Sequence, residues 1–279
     1  MNKCSEYKYI SFNRGILDNL IDAVYIILLK GSKRTKFVYQ QIYDYKLSKN
    51  NFIQINESFK NCYNNTMCKQ TVGHHLINNN INILKHANEK NYNNILVFED
   101  DFILDPKIKN KKIIKNLEDF INNNNFNLYF LGVIPIMFNS VSINHMKLSY
   151  FLCTHSVIYS KSARNLLIKM YEKNSCLLGA QLDGPYFQNL PNKYMYKSPL
   201  CFQNFPQTEN RKTWDNLYKN FVLKIFELEK RNVKKIKRGF ENIYLIIYSI
   251  HLLIIILFIY FIYIIFKKYI FYNKVKINL

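Results

Sequence analysis

Apolar residues fall along this chain in short runs and helical stripes that alternate with one another. Ala23 to Leu29 (AVYIILL) is a continuous apolar run of strand length and predicts a first buried β-strand. Thr35 to Lys46 continues as a helix, and Phe52 to Ile55 as a strand. Between Thr71 and Glu89, residues Leu76, Ile77, Ile81, Leu84 and Ala87 recur at helical spacing, the pattern of an amphipathic helix. It feeds Ile95 to Phe98, a short apolar run fit for a fully buried strand, within the stretch Asn93 to Pro106 (NNILVFEDDFILDP). Asp105-Pro106 reads as an N-cap followed by proline at the first helical position, and Ile108, Ile113, Leu117, Phe120 and Ile121 give the next helical stripe. Phe126 to Ile134 (FNLYFLGVI) and Phe151 to Tyr159 (FLCTHSVIY) predict two further strands, and Ser160 or Ser162 caps the helix after them (SARNLLIKMY). Leu182-Asp183-Gly184-Pro185 is a turn carrying one carboxylate, and Ser198 to Phe205 closes the domain. Alternating strands and helices with short connections predict an α/β domain on a largely parallel sheet.

Beyond it, Trp214, Leu217, Tyr218, Phe221, Ile225 and Leu228 suggest an amphipathic helix whose other face turns basic toward Arg238. Ile243 to Phe266 then runs 24 residues without a formal charge. At ~1.5 Å per residue that is roughly 36 Å, enough to cross a bilayer core of ~30 Å with some tilt. Seven Lys and Arg between Leu223 and Asn242 stand against four between Lys267 and Leu279. By the positive-inside rule the N-terminal flank, with the globular part, faces the cytoplasm. Residues 1 to 20 are polar and mixed, without the core of a secretory signal. The expectation is a single-pass protein, anchored to the membrane by its C-terminal helix, with a cytoplasmic head.

The net charge of +20 admits nucleic acid, anionic membrane or anionic substrate as partners. Its placement decides among them: seven basic residues between Lys224 and Arg238 sit directly before the apolar run, which lipid headgroups explain more simply than nucleic acid. No nucleic-acid-binding module is recognisable, so no nucleic-acid partner is expected. Six cysteines are scattered with no CxxC pair, and are read as reduced, mostly buried thiols; zinc is not expected. Asn56-Glu57-Ser58 and Asn64-Asn65-Thr66 match the glycosylation acceptor pattern, as chance predicts in so Asn-rich a chain.

The chemistry concentrates where the strand at Ile95 to Phe98 ends in Glu99, Asp100 and Asp101. A buried strand that delivers acids at its C-terminal end is where α/β proteins bind ligands. Adjacent anions repel, so a positive partner is expected, and a divalent cation is the natural candidate. Lys30-Gly31-Ser32-Lys33-Arg34, after the first strand, is a basic turn that reads either as a phosphate holder or as a solvated loop; it lacks P-loop spacing. His74 and His75, at the start of a helix, read as structural or exposed.

These residues resemble glycosyltransferase family 25, the lipopolysaccharide-type sugar transferases and collagen galactosyltransferases, over roughly residues 23 to 205. ILVFEDDFIL is similar to the family's strand ending in Glu-Asp-Asp, and FNLYFLG to the strand after it. Thr154 to Ser160 with Ala163 resembles its strand-to-helix element, and Leu182-Asp183 and Pro199 to Gln203 its Asp turn and terminal Pro…Gln element. Gly73-His74-His75 is a looser likeness, and Ile27 stands where the family commonly has Asn.

The resemblance implies a GT-A-like, Rossmann-type nucleotide-sugar-binding domain over residues 21 to 210. An extension (1–20) precedes it; a basic juxtamembrane segment (211–242), the membrane helix (243–266) and a short tail (267–279) come after it. It further implies transfer, inverting in the family's manner, of a sugar from a nucleotide-sugar donor such as a UDP-linked hexose to a glycan, lipid-linked or protein acceptor. On an extended strand end Glu99 and Asp101 point one way and Asp100 the other. Asp101 is the expected ligand of a divalent metal, Mn²⁺ ahead of Mg²⁺, with Glu99 or Asp100 reaching the ribose or a metal-bound water. Asp183 is the candidate base, with Asp105 as the alternative. His155 either contacts the diphosphate or sugar or is a strand-end histidine satisfied by backbone; Arg34 or Lys33 would contact phosphate. The rival reading is a membrane-anchored scaffold that keeps the fold without turnover, motivated by Ile27 and the degraded glycine-histidine element.

Overall fold

The structure, a computed structural model, describes residues 4–58, 60–62, 67–179, 181–205, 222–229 and 232–277. Its strands are β1 (Ser5–Ser11), β2 (Ala23–Leu29), β3 (Asn50–Asn56), β4 (Asn94–Glu99), β5 (Phe102–Leu104), β6 (Leu128–Ser140), β7 (His145–Ser160), β8 (Lys193–Tyr196) and β9 (Cys201–Gln203). Its main helices are α1 (Thr35–Tyr45), α2 (Val72–Glu89), α3 (Lys111–Asn123), α4 (Lys161–Lys173) and α5 (Val233–Ile277). Seven strands form one sheet in the order β1-β3-β2-β4-β7-β6-β8, while β5 and β9 form a separate antiparallel ribbon.

β2 runs parallel to β3 and β4, and β6 parallel to β8, but β7 lies antiparallel between β4 and β6. The sheet is therefore mixed where a largely parallel one was expected. The reason is local: β6 returns directly as β7 through a short hairpin, and a hairpin joins only antiparallel strands. The N-terminal segment packs onto the domain. β1 pairs antiparallel with β3 along its whole length, and Leu17, Leu20 and Ile21 are buried in the core.

Both faces of the sheet are covered, which is why its central strands read as unbroken apolar runs. Ala23, Tyr25 and Ile27 of β2 pack with α2 and α4; Val24, Ile26 and Leu28 pack with α1 and α3. The helix starts match their capping residues: Thr71 accepts from the His74 amide, and Ser160 from the Ala163 amide. Asp105 caps only a short 3₁₀ turn, Pro106–Lys109; α3 begins afterwards, with Asn110 as its N-cap.

Four cysteines are not free thiols. Cys4 bonds to Cys62 and Cys68 to Cys176, with Cα–Cα separations of 5.5 and 4.9 Å. The partners stand 58 and 108 residues apart, so no local spacing announces them. Cys153 and Cys201 are not in a disulfide.

α5 is long and apolar enough to cross a membrane. Its first turns dock on the domain, burying Ile236, Phe240, Ile243 and Tyr244. Lys237 pairs with buried Asp105 at 3.0 Å, Tyr244 donates to the Val133 carbonyl, and Tyr248 donates to the Lys197 carbonyl at 2.8 Å. Gly239 explains itself here: a Cβ would lie 2.1 Å from the Phe226 carbonyl oxygen. Of the stripe before it, Trp214, Leu217, Tyr218 and Phe221 lie outside the described residues, as does the Asn64 acceptor pattern; Leu228 is buried, but Ile225 is exposed.

Candidate functional site

β2 and β4 are adjacent and parallel, with Ile27 opposite Glu99, so the basic turn after β2 and the acidic turn after β4 emerge at the same edge of the sheet. Gly31 adopts φ +74°, a left-handed conformation in which a side chain would be strained, and turns the chain so that Ser32 and Arg34 reach across. Arg34 grips both oxygens of Asp100 at 2.6 and 2.7 Å, and the Ser32 hydroxyl donates to Asp100 at 3.2 Å. The basic turn thus supplies a cation to the acidic one. Lys33 is exposed beside it.

Glu99 and Asp101 share their surroundings less comfortably. Burial and repulsion from Asp101, Asp100 and Asp183 hold the Glu99 carboxyl well above its usual range, and only Arg34 opposes this among the dominant influences. Burial, then the charge of Asp100, pushes Asp101 up to about 7, against Arg34 and a hydrogen bond from Gln203. That bond, Gln203 Nε2 to Asp101 at 3.2 Å, exists because β9 pairs with β5 and sets Gln203 opposite Phe102. Asn204 adds an amide N–H to the Asp101 carbonyl at 2.9 Å.

Asp183 stands in a wide helical turn, Leu182–Tyr186. Its carboxylate accepts from the amide of Cys153, which takes a left-handed conformation at φ 65° on β7. Burial raises the Asp183 pKa, partly offset by this amide and its own. The structure therefore gathers Arg34, Glu99, Asp100, Asp101 and Asp183 into one electrostatic neighbourhood.

His155 is placed differently. It lies on β7, fully buried, with Nε2 directed at the Cys201 carbonyl (3.3 Å) and Phe240 of α5 covering its ring. Burial lowers its pKa to about 4, so it is neutral at physiological pH, and it holds β9 rather than facing solvent. Gly132 makes this fit: a Cβ there would stand 1.9 Å from the Cys201 oxygen and 2.8 Å from the imidazole. His74 and His75 bond to Thr71 and Gln70 beside them.

A metal can be tested against these residues. Among the described residues, no three His, Cys, Asp or Glu side chains converge as a ligand group. Yet Asp101 Oδ1, Gln203 Oε1 and Asn204 Oδ1 are all buried without a hydrogen-bond partner. Three unpartnered oxygens on neighbouring segments are the donor type that Mg²⁺ and Mn²⁺ take. The chemistry of the set fits a hard divalent cation. Gln203 was legible only as the end of a Pro…Gln element, and Asn204 carried no signal.

No protein-family model matches the chain, and no curated protein does. Family 25 is therefore not shown. Among solved structures, the chain is similar to A197 from STIV, with a TM-score of 0.39 and 10% identity over 66% of this chain and 86% of that one. It is also similar to a glycosyltransferase involved in the glycosylation of the major capsid of PBCV-1, with a TM-score of 0.34 and 15% identity over 62% and 80%. Likenesses at this level carry no argument about activity, which has to come from the site itself.

Proposed function

We propose that the chain is a membrane-anchored glycosyltransferase that moves a sugar, from a UDP-linked hexose, to a hydroxyl of a glycan, lipid-linked or protein acceptor with inversion. The observation that carries this reading is the gathering of three carboxylates, Glu99, Asp100 and Asp101, around Arg34 where β2 and β4 end, with the Asp183 carboxylate acting on Glu99 from the Leu182–Tyr186 turn. Such an excess of acid at a sheet edge suits a cation-assisted diphosphate site better than a structural role. Asp183 would take the proton of the acceptor hydroxyl as its oxygen bonds the donor's anomeric carbon and the nucleoside diphosphate leaves. A carboxyl whose pKa is raised by burial is a better base for this than an exposed one. Arg34 and Asp100 together would shape the diphosphate side of the site, with Glu99 or Asp100 toward the ribose. A divalent cation, Mn²⁺ ahead of Mg²⁺, would be held by Asp101 and Glu99 with Gln203 and Asn204, and would supply Lewis-acid neutralisation of the leaving group.

One observation favours the rival, a scaffold that keeps the fold without turnover. Arg34 already neutralises Asp100, and the raised pKa of Glu99 and Asp101 lets the remaining acids hold protons instead of a cation. Thermal shift of the full chain in detergent with UDP, GDP or CMP, with and without Mn²⁺, separates the two. Ligand bound to the folded state raises the melting temperature by mass action. The transferase reading expects a shift with UDP that requires Mn²⁺ and is lost in Asp101→Asn. Absence of any nucleotide-dependent shift would favour the scaffold.

A further inference from the structure

Among the described residues outside α5, the hairpin that joins β6 to β7 carries more exposed large hydrophobic side chains than any other element. Ile143 at its tip is 84% exposed, Met137 58%, Val141 46% and Tyr150 45%. Met137 and Tyr150 are cross-strand partners. Single exposed apolar residues are ordinary on a soluble surface, but four on one hairpin call for something to cover them.

The place where α5 meets the hairpin identifies the cover. The helix runs alongside β6 in the same direction: Tyr244 meets Val133, and seven residues later His251 meets Ile136 at 2.9 Å, its ring 4.3 Å from that of Phe138. Beyond His251, every residue from Leu252 to Phe261 is exposed and apolar. From Leu252 to Phe266, the last residue before Lys267, the run covers only about 22 Å at ~1.5 Å per residue, short of a ~30 Å bilayer core. A full crossing must therefore draw on residues before His251, whose outward side is already apolar: Leu245, Ile246 and Ile250 are exposed. Those same turns are docked on β6. Tyr248, one turn before His251, donates to the Lys197 carbonyl at 2.8 Å, and the Lys197 amide donates to the Asn144 carbonyl of the hairpin loop at 2.8 Å, so the level at which the helix enters the hydrocarbon is the level of that loop.

We propose that the β6–β7 hairpin is a second membrane-binding element, its tip inserted in the interfacial layer of the bilayer that α5 crosses. Val141 and Ile143 would lie among the upper acyl chains, the cross-strand partners Met137 and Tyr150 at headgroup level, and the exposed Lys147 and Lys197 would extend their stems to lipid phosphates. Two attachments fix the orientation of the head relative to the membrane plane, which a single helix with a flexible joint would not. The proposal rests on the membrane-anchored reading of α5.

The test uses the full chain, with its single tryptophan removed by Trp214→Phe, reconstituted in vesicles of phosphatidylcholine and phosphatidylglycerol. Tryptophan is introduced by Ile143→Trp or, separately, by Leu257→Trp, and quenched by lipids brominated at shallow or deep acyl positions. The expected result is blue-shifted Ile143→Trp emission that loses roughly half its intensity to shallow bromines, the depth of an interfacial side chain. Leu257→Trp should respond most to deep bromines. Water-like, unquenched emission from Ile143→Trp alongside a quenched Leu257→Trp overturns the hairpin proposal and leaves the anchor standing. Unquenched emission at both positions overturns the hairpin and the anchor together.

Discussion

Asp101 and His155 are connected through Gln203, yet their titrations push stability in opposite directions as pH falls. Asp101 is raised to about 7 in the fold against about 4 in an unfolded chain, so between those values the folded state binds the extra proton. Its contribution is therefore present at acid pH and is lost as pH rises through 7. His155 is lowered to about 4 against about 6.5 unfolded, so it is the unfolded state that binds the proton in that window. Its contribution is present above 6.5 and fades below, by about 2 kcal/mol between pH 8 and pH 5. Melts of the metal-free full chain across that range should show Asp101→Asn losing its acid stabilisation and His155→Gln losing its acid destabilisation. Identical pH profiles for all three proteins would mean that neither group is enclosed as described. The site was partly legible at this scale. Glu99, Asp100 and Asp101 come directly after a recognisable buried strand, and the basic turn after another, so their meeting at Arg34 and Asp100 could be anticipated. The enclosure of His155 could not, because it depends on Phe240, 85 positions later, and on the β5–β9 pairing, which leaves no periodic trace.

Among the elements, α2 and β2 keep nearly the limits their patterns predict, since one has a capping threonine and a clean stripe and the other an apolar run covered on both faces. β1 escaped notice because an edge strand mixes its few apolar residues with polar ones, and β8 because four residues, paired to both β6 and β7, are too short a run to show a period. The outer halves of β6 and β7 escaped because their exposed apolar residues break the expected alternation. α5 holds the largest consequence at this scale. Its Phe240 stacks near Phe202 and Phe205 and roofs His155, so this helix is also part of the core. Phe240→Ala should cost about 3 kcal/mol or more, the ordinary penalty for emptying a buried phenylalanine site. A melt of the full chain in detergent would register this as a drop of several degrees. An unchanged melting temperature would show that α5 does not dock, and that a head without it is a fair substitute for the whole.

For the whole molecule, two observations on sidedness oppose each other. The basic flank before the apolar run is the ground for expecting the domain on the cytoplasmic face. The Cys4–Cys62 and Cys68–Cys176 bridges belong to an oxidising compartment. The bridges weigh more, because the flank differs by only three charges, seven against four, and long domains are translocated with little regard to charge. Alkylation of membranes under non-reducing conditions, followed by mass spectrometry, should therefore recover two labelled cysteines, Cys153 and Cys201, and two bridged peptide pairs. Six labelled cysteines would return the domain to the cytoplasm.

The central claim is that the acids at the end of β4, set against the basic turn after β2, serve sugar transfer, and release of UDP from UDP-hexoses by the full chain in vesicles tests it most directly. The account predicts slow, Mn²⁺-dependent release that an acceptor accelerates. Asp101→Asn should abolish it, and Asp183→Asn should slow acceptor-dependent turnover by about 10²–10⁴-fold, the usual contribution of a general base. Release that persists unchanged in both variants, or no release from any nucleotide sugar with any divalent metal, would contradict it.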